Sequence, residues 1–92
     1  FKMIEELKDT EIRVLIFLYK NPEGTTLQEI VTDNRMSWGT VYRVISTLQR
    51  FKLVKERRVG IARLLTLTEH GLWVAEKLLE IDRYLAKIVE SS

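Results

Sequence analysis

The sequence predicts a mostly α-helical chain with one small β-hairpin, an α+β domain whose core is supplied by helices. Three observations predict it. Apolar residues recur at helical spacing in three separate stretches and again over the C-terminal quarter of the chain. A residue able to cap a helix stands before each stretch: Thr10, Thr26, Ser37 and Thr68. Between Leu53 and Thr68 the period shortens to two around a single glycine, the pattern of two strands and a turn.

The elements follow in order. Phe1, Ile4 and Leu7 can form a short leading helix. Thr10 opens a helix with Ile12, Val14, Leu15, Ile16, Leu18 and Tyr19, and Asn21-Pro22-Glu23-Gly24 stops it. Thr26 with Glu29 three residues on is a capping box, which starts a second helix with Leu27, Ile30 and Val31 inward. Ser37 caps a third helix. Residues 55–58 and 62–67 read as strands joined by a turn at Val59-Gly60, and Thr68 caps a last helix running to about Glu90.

A chain of 92 residues forms one domain, taken as residues 1–92, with about 10–68 as core and hairpin and 69–90 as the last helix. An apolar share of 46% with 30% charge fits a folded, well-solvated protein. No cysteine is present, which excludes disulfides and thiolate metal sites and is compatible with the expected cytoplasmic location. The longest apolar run, residues 14–19, is far short of the ~20 residues of a membrane span, and Glu5-Glu6 makes the start unlike a secretory leader.

Charge is unevenly placed. Residues 34–68 hold eight basic side chains (Arg35, Arg43, Arg50, Lys52, Lys55, Arg57, Arg58, Arg63) against Glu56 alone, while the flanks are net acidic and the whole chain is only +2. Six of the eight are arginines, the better phosphate ligands, so the middle segment reads as a surface for a polyanion; a solvated basic face is the plain alternative. The third helix sharpens this. At about 100° per residue, Val41, Val44, Ile45 and Leu48 share one face. Opposite lie Gly39, Arg43, Ser46 and Arg50, with Thr40 and Thr47 on one shoulder and Tyr42 and Gln49 on the other. That face holds no acid, although mixed signs would support a merely solvated helix.

In the last helix Val74, Leu78, Ile81, Leu85 and Ile88 are spaced as a heptad seam, beside a second stripe of Leu72, Ala75, Leu79 and Val89. Two stripes fit two partners, the subunit's own core and a second copy of the chain; one wide core face is the alternative.

Ser37-Trp38-Gly39-Thr40-Val41-Tyr42-Arg43-Val44-Ile45, with Leu48 and Leu53-Val54, resembles the recognition-helix signature of PadR-like regulators, with MarR and ArsR relatives close behind. Leu67-Thr68-Glu69-His70-Gly71 resembles the segment that ends the hairpin and opens the last helix in those families. Small archaeal and archaeal-virus proteins share the layout. The resemblance implies a winged helix-turn-helix fold, with a three-helix core, a wing hairpin and a C-terminal dimerisation helix. It also implies a homodimeric transcriptional regulator that puts the third helix in the major groove of double-stranded DNA and the basic wing on the backbone or minor groove. Ser37, Thr40, Tyr42 and Arg43 would then contact bases and phosphates, and Arg57, Arg58 and Arg63 would serve the wing. The face of the third helix adds Gly39, Thr47 and Arg50 to the expected DNA-binding residues. One departure is that Lys52 stands where those families place glycine, so the helix end is either built differently or holds a lysine at positive φ. Another is a short wing turn, which argues against deep insertion into a groove.

Trp38, on the core-side shoulder, is expected to pack rather than stack on bases, and Tyr42 can pack its ring while its hydroxyl reaches a phosphate. Arg43 can take a guanine edge or clamp a phosphate. The single His70 reads as solvated and Trp73 as core or dimer packing. Without a histidine cluster, a cysteine or a glycine-rich phosphate loop, no enzyme, metal or cofactor is expected. A protein-interaction module of the same fold is the rival reading, disfavoured by three arginines around the hairpin.

Overall fold

The computed structural model describes residues 2–91, so Phe1 of the leading segment lies outside the described residues. Seven elements follow one another: α1 (Lys2–Glu5), α2 (Asp9–Lys20), α3 (Leu27–Asn34), α4 (Trp38–Arg50), β1 (Val54–Val59), β2 (Ala62–Leu67) and α5 (Glu69–Ser91). The third helix read in the sequence is therefore α4. The hairpin is antiparallel, with Val54 opposite Leu67 at its base and Val59 opposite Ala62 at its tip.

Local chemistry explains the helix ends. Thr26 and Glu29 form the reciprocal capping box, and Ser37 accepts from the Thr40 N–H at 3.1 Å. The start of α2 corrects the sequence reading: the cap position is Lys8, without a side-chain cap, and Thr10 lies inside the first turn. The hairpin also shifts by one residue. Val59 is still paired with Ala62, so the turn is Gly60-Ile61 rather than Val59-Gly60.

The core is the meeting of one face each of α2, α3 and α4 with the base of the hairpin and the first turns of α5. Val14, Leu15, Leu18, Ile30, Val41, Val44, Leu48 and Ala75 are all but sealed from water, joined by Leu53, Val54, Leu65 and Leu67. Thr25 forms a two-way backbone bridge with Leu65, at 3.1 and 2.7 Å, which fixes the hairpin base beside the entry to α3. In α5, Val74 and Leu78 pack against this core, while Ile81, Leu85 and Ile88 are exposed. The heptad seam is thus divided: its first two residues belong to the subunit itself. From Glu80 to Ser91 every residue is exposed, and the molecule is drawn out to 51 × 26 × 25 Å. Among the described residues no helix is long and apolar enough to cross a membrane.

Two backbone positions have opposite demands. The end of α4 closes with Leu53 N–H on Leu48 C=O and Lys52 N–H on Gln49 C=O, a pairing that puts Lys52 at φ 61. A lysine thus occupies the left-handed position that glycine would fill without strain. At the start of α5 the Gly71 N–H donates to Thr68 Oγ1, and a Cβ on Gly71 would lie 2.0 Å from the Leu53 carbonyl oxygen. Lys52→Gly should therefore stabilise the protein by about 0.5–1 kcal/mol, whereas Gly71→Ala should cost about 3 kcal/mol, since backbone must move to admit the methyl. Urea unfolding of both variants checks the pair of signs.

Candidate nucleic-acid interface

Helix α4 lies across the front of the core with its apolar stripe (Val41, Val44, Ile45, Leu48) buried and its other side exposed. Trp38, Gly39, Tyr42, Arg43, Ser46, Gln49 and Arg50 form the exposed side, with Thr40 and Thr47 half-buried at its edge. Ser37 Oγ donates to Thr40 Oγ1 (2.9 Å) and Thr47 Oγ1 donates to the Arg43 carbonyl (3.2 Å), so these hydroxyls are held in place by the helix itself.

The flank facing α1 and α2 is ionic. Arg43 Nη1 donates to Glu11 Oε2 at 3.0 Å and Arg43 Nη2 to Thr10 Oγ1 at 3.3 Å, while the Thr10 hydroxyl donates to Glu11 Oε1 at 2.6 Å. Glu11 is only 1% exposed and heads the buried stripe of α2 (Glu11, Val14, Leu15, Leu18). Arg50 donates to Glu6, just beyond α1. This hydrogen bond from Arg50 holds the Glu6 carboxyl below its ordinary pKa and raises that of the guanidinium. A carboxylate whose folded pKa is depressed contributes above its unfolded pKa and loses that contribution only as pH falls through the lower folded value, so the pair persists below the usual carboxylate range. The sequence reading of an acid-free face holds for α4 alone: folding places two carboxylates from outside α4 beside its two cations. The missed signal was Glu11 itself, a charge at the head of an apolar helical stripe.

The flank facing the hairpin is a groove of about 560 Å³. Trp38 and Tyr42, with ring centroids 6.2 Å apart, form one wall, Ile45 and Leu65 part of the floor, and Glu56 and Arg63 the far side. Trp38 is thus exposed on a groove, against the expectation that it packs inward. Arg63 pairs with Glu56 at 3.1 Å. Of the eight cations in residues 34–68, Arg43, Arg50 and Arg63 are therefore engaged by acids. Arg57 and Arg58 stand exposed on β1, and no ion pair among the described residues involves them. Of the predicted DNA-binding residues, the structure brings Ser37, Gly39, Thr40, Tyr42, Arg43, Thr47 and Arg50 together on α4 and its cap. It carries Arg57, Arg58 and Arg63 on the adjoining hairpin, and His70 and Trp73 lie exposed on α5, outside both groups.

A helical core whose last helix presents an exposed polar side, followed at once by a two-stranded hairpin, is the winged-helix fold. Solved structures agree. A double variant of ZitR from Lactococcus lactis, in apo form, is 25% identical, with a TM-score of 0.76 over 97% of this chain and 69% of its own. MepR, a transcription regulator of the Staphylococcus aureus multidrug efflux pump MepA, is 22% identical, with a TM-score of 0.81 over 99% of this chain and 73% of its own. A single-residue variant of MepR, solved bound to an oligodeoxyribonucleotide, is 21% identical with a TM-score of 0.82 over 99% of this chain and 70% of its own. Both neighbours are MarR-family winged-helix regulators, one of the families that the sequence resembles. Neither a family model nor a curated protein matches the sequence.

The Glu11–Arg43 pair fixes α4 on α2, and its two halves are not equivalent. Removing the guanidinium strands a buried carboxylate, so Arg43→Ala should cost about 2–3 kcal/mol, and Arg43→Ala combined with Glu11→Leu should recover much of it. Urea unfolding of the two single variants and the double variant measures the coupling; a cost for Arg43→Ala below ~0.5 kcal/mol would show that the pair does not hold the helix.

Proposed function

We propose that the protein is a homodimeric transcription regulator of the cytoplasm that binds double-stranded DNA sequence-specifically, without catalytic activity, metal or cofactor. The observation that carries this reading is the division of charge on the exposed surface. The wing holds the free cations Arg57 and Arg58 beside an exposed polar helix side whose own cations are held by internal carboxylates. Such a surface suits two tasks at once: α4 reads base edges with Tyr42, Ser46 and Gln49, and the wing anchors on phosphates. The oligodeoxyribonucleotide-bound MepR variant, alike in fold along nearly the whole chain, supports it. Ser37, Gly39, Thr40 and Thr47 line the same approach. Arg43 and Arg50 contribute only as far as a phosphate or base competes with Glu11 and Glu6.

Binding should weaken steeply with salt. With about three phosphates neutralised per subunit, log affinity of a dimer should fall by roughly five units per decade of salt. Arg57→Ala and Arg58→Ala should each make that slope shallower and weaken specific and random duplexes alike. Gel shifts across a salt series test this, and a flat response would remove the DNA reading.

The dimer face proposed is the projecting part of α5. Ile81, Leu85 and Ile88 are 55%, 55% and 48% exposed, and each buried side chain of this kind gains ~1.5–3 kcal/mol. Val74 and Leu78, from the same seam, serve the subunit core. Leu85→Asp with Ile88→Asp should therefore give a folded monomer that binds DNA far more weakly, whereas Leu78→Asp should lower thermal stability as well. Sedimentation with circular dichroism separates the two outcomes; an unmodified protein that sediments as a monomer at micromolar concentration would overturn the dimer.

A further inference from the structure

We propose that Ile61, at the apex of the hairpin, is an apolar wedge that enters the minor groove of duplex DNA and parts one base step. The inference rests on the DNA reading above and goes beyond it, because it assigns to the wing a deformation of the duplex as well as an anchor.

The first observation is the residue type. Gly60 has φ 63 and takes the first of the two turn positions, as a tight hairpin of this type requires. The second position of such a turn is ordinarily filled by a small polar residue that hydrogen-bonds locally. Here it is isoleucine, and it is 99% exposed, more than any other large apolar side chain described. The fold gains nothing from it. Its neighbour Val59 is also half in water.

Placement is the second observation. Val54 is the only buried residue of β1, but β2 is buried from Leu65 onward, so the hairpin stands clear of the body beyond the Arg57–Leu64 pair, which carries the apex out by about 10 Å. The turn is too short for a loop to sink into a groove, but a single side chain at its apex needs no loop. The minor groove is about 6 Å wide, enough for one branched aliphatic group between the strands.

The third observation is charge. Arg57 and Arg58 stand exposed below the apex, and Arg58 lies directly opposite Arg63 in the ladder. Like charges in facing positions weaken a hairpin, and only Arg63 has an acid beside it, Glu56. A cationic collar under an apolar tip is a poor fit to an apolar protein groove, which would strip the guanidinium groups of water without repayment. It matches the edge of a duplex, where stacked bases lie between two rows of phosphates. An aliphatic side chain inserted from the minor groove, with arginine at the backbone, can unstack a base step, and flexible pyrimidine–purine steps give way most easily.

The test uses the full chain and duplexes enriched by the unmodified protein from a randomised pool, with a fluorescent purine analogue that brightens on unstacking placed at successive positions. The unmodified protein should brighten the analogue severalfold at one step in each half-site. Ile61→Ser should melt at the same temperature, lose the brightening and bind about tenfold more weakly with an unchanged salt slope, while Ile61→Leu should keep both properties. Arg58→Ala should behave in the opposite way, with brightening retained and a shallower slope. Unchanged affinity and brightening in Ile61→Ser would overturn the wedge and leave the DNA reading standing. So would weaker binding by Ile61→Ser when the unmodified protein brightens no position, for the apex would then rest on the backbone. A pool from which no duplex is enriched would overturn the DNA reading and the wedge with it.

Discussion

At one point in the molecule, four elements meet within a few ångströms of the Leu53 carbonyl. The oxygen accepts from the Thr68 N–H at 2.9 Å and has the Cα of Gly71 pressed against it; the Thr68 hydroxyl donates to the Lys52 carbonyl at 2.7 Å and accepts from the Gly71 N–H at 3.0 Å. The end of α4, the start of β1, the end of β2 and the first turn of α5 are thereby tied together by backbone and by the Thr68 hydroxyl. Backbone contacts of this kind leave almost no angular freedom, because any side chain at residue 71 would hold the two segments apart. The direction of the hairpin and the line along which α5 leaves the body are both consequences of that crossing. The strained lysine at residue 52 is part of the same arrangement, for only a left-handed residue there turns the chain sharply enough to present Leu53.

Around this fixed crossing, charge is distributed by folding more than by sequence. Of the eight cations in residues 34–68, three are engaged once Glu6 and Glu11 approach from the leading part of the chain and Glu56 turns toward Arg63. What remains outward is polar and aromatic on α4 and cationic on the hairpin. The two surfaces adjoin along the groove between Tyr42 and Arg63, so helix and hairpin present distinct chemistry to whatever binds there. The buried end of the Glu11–Arg43 pair also ties α4 to α2, since a carboxylate removed from water is costly to leave unpaired.

Local signals made most of the framework legible in the sequence. Thr26 with Glu29, Ser37 and Thr68 each cap the helix expected of them, because a cap depends on residues three apart. The apolar face of α4 follows from its period alone. Lys52 stood out only against the resemblance, whose families place glycine there, and of the two outcomes left open the structure shows the lysine at positive φ. What escaped was non-local. Arg43 and Glu11 are 32 residues apart and Arg50 and Glu6 are 44 apart; Glu11 at the head of an apolar stripe signals a buried charge, but nothing in either neighbourhood names the partner. The turn was misplaced by one residue because hairpin register is set at its base, by Val54 against Leu67 and by the bridge from Thr25, not by the glycine. Trp38 was placed inward because a shoulder position on a helical wheel does not say whether a groove opens beside it.

The exposed length of α5 has a thermodynamic corollary. From Glu80 onward no residue of the helix is buried, so its order there rests largely on its own propensity and on continuity with the packed turns before it. A helical segment of about a dozen residues with little to pack against sits close to the helix–coil balance point in water. A second copy covering Ile81, Leu85 and Ile88, as proposed above, would supply order as well as contact area. Binding energy and helix formation would then be one linked equilibrium, in which protein concentration sets the mean helix content.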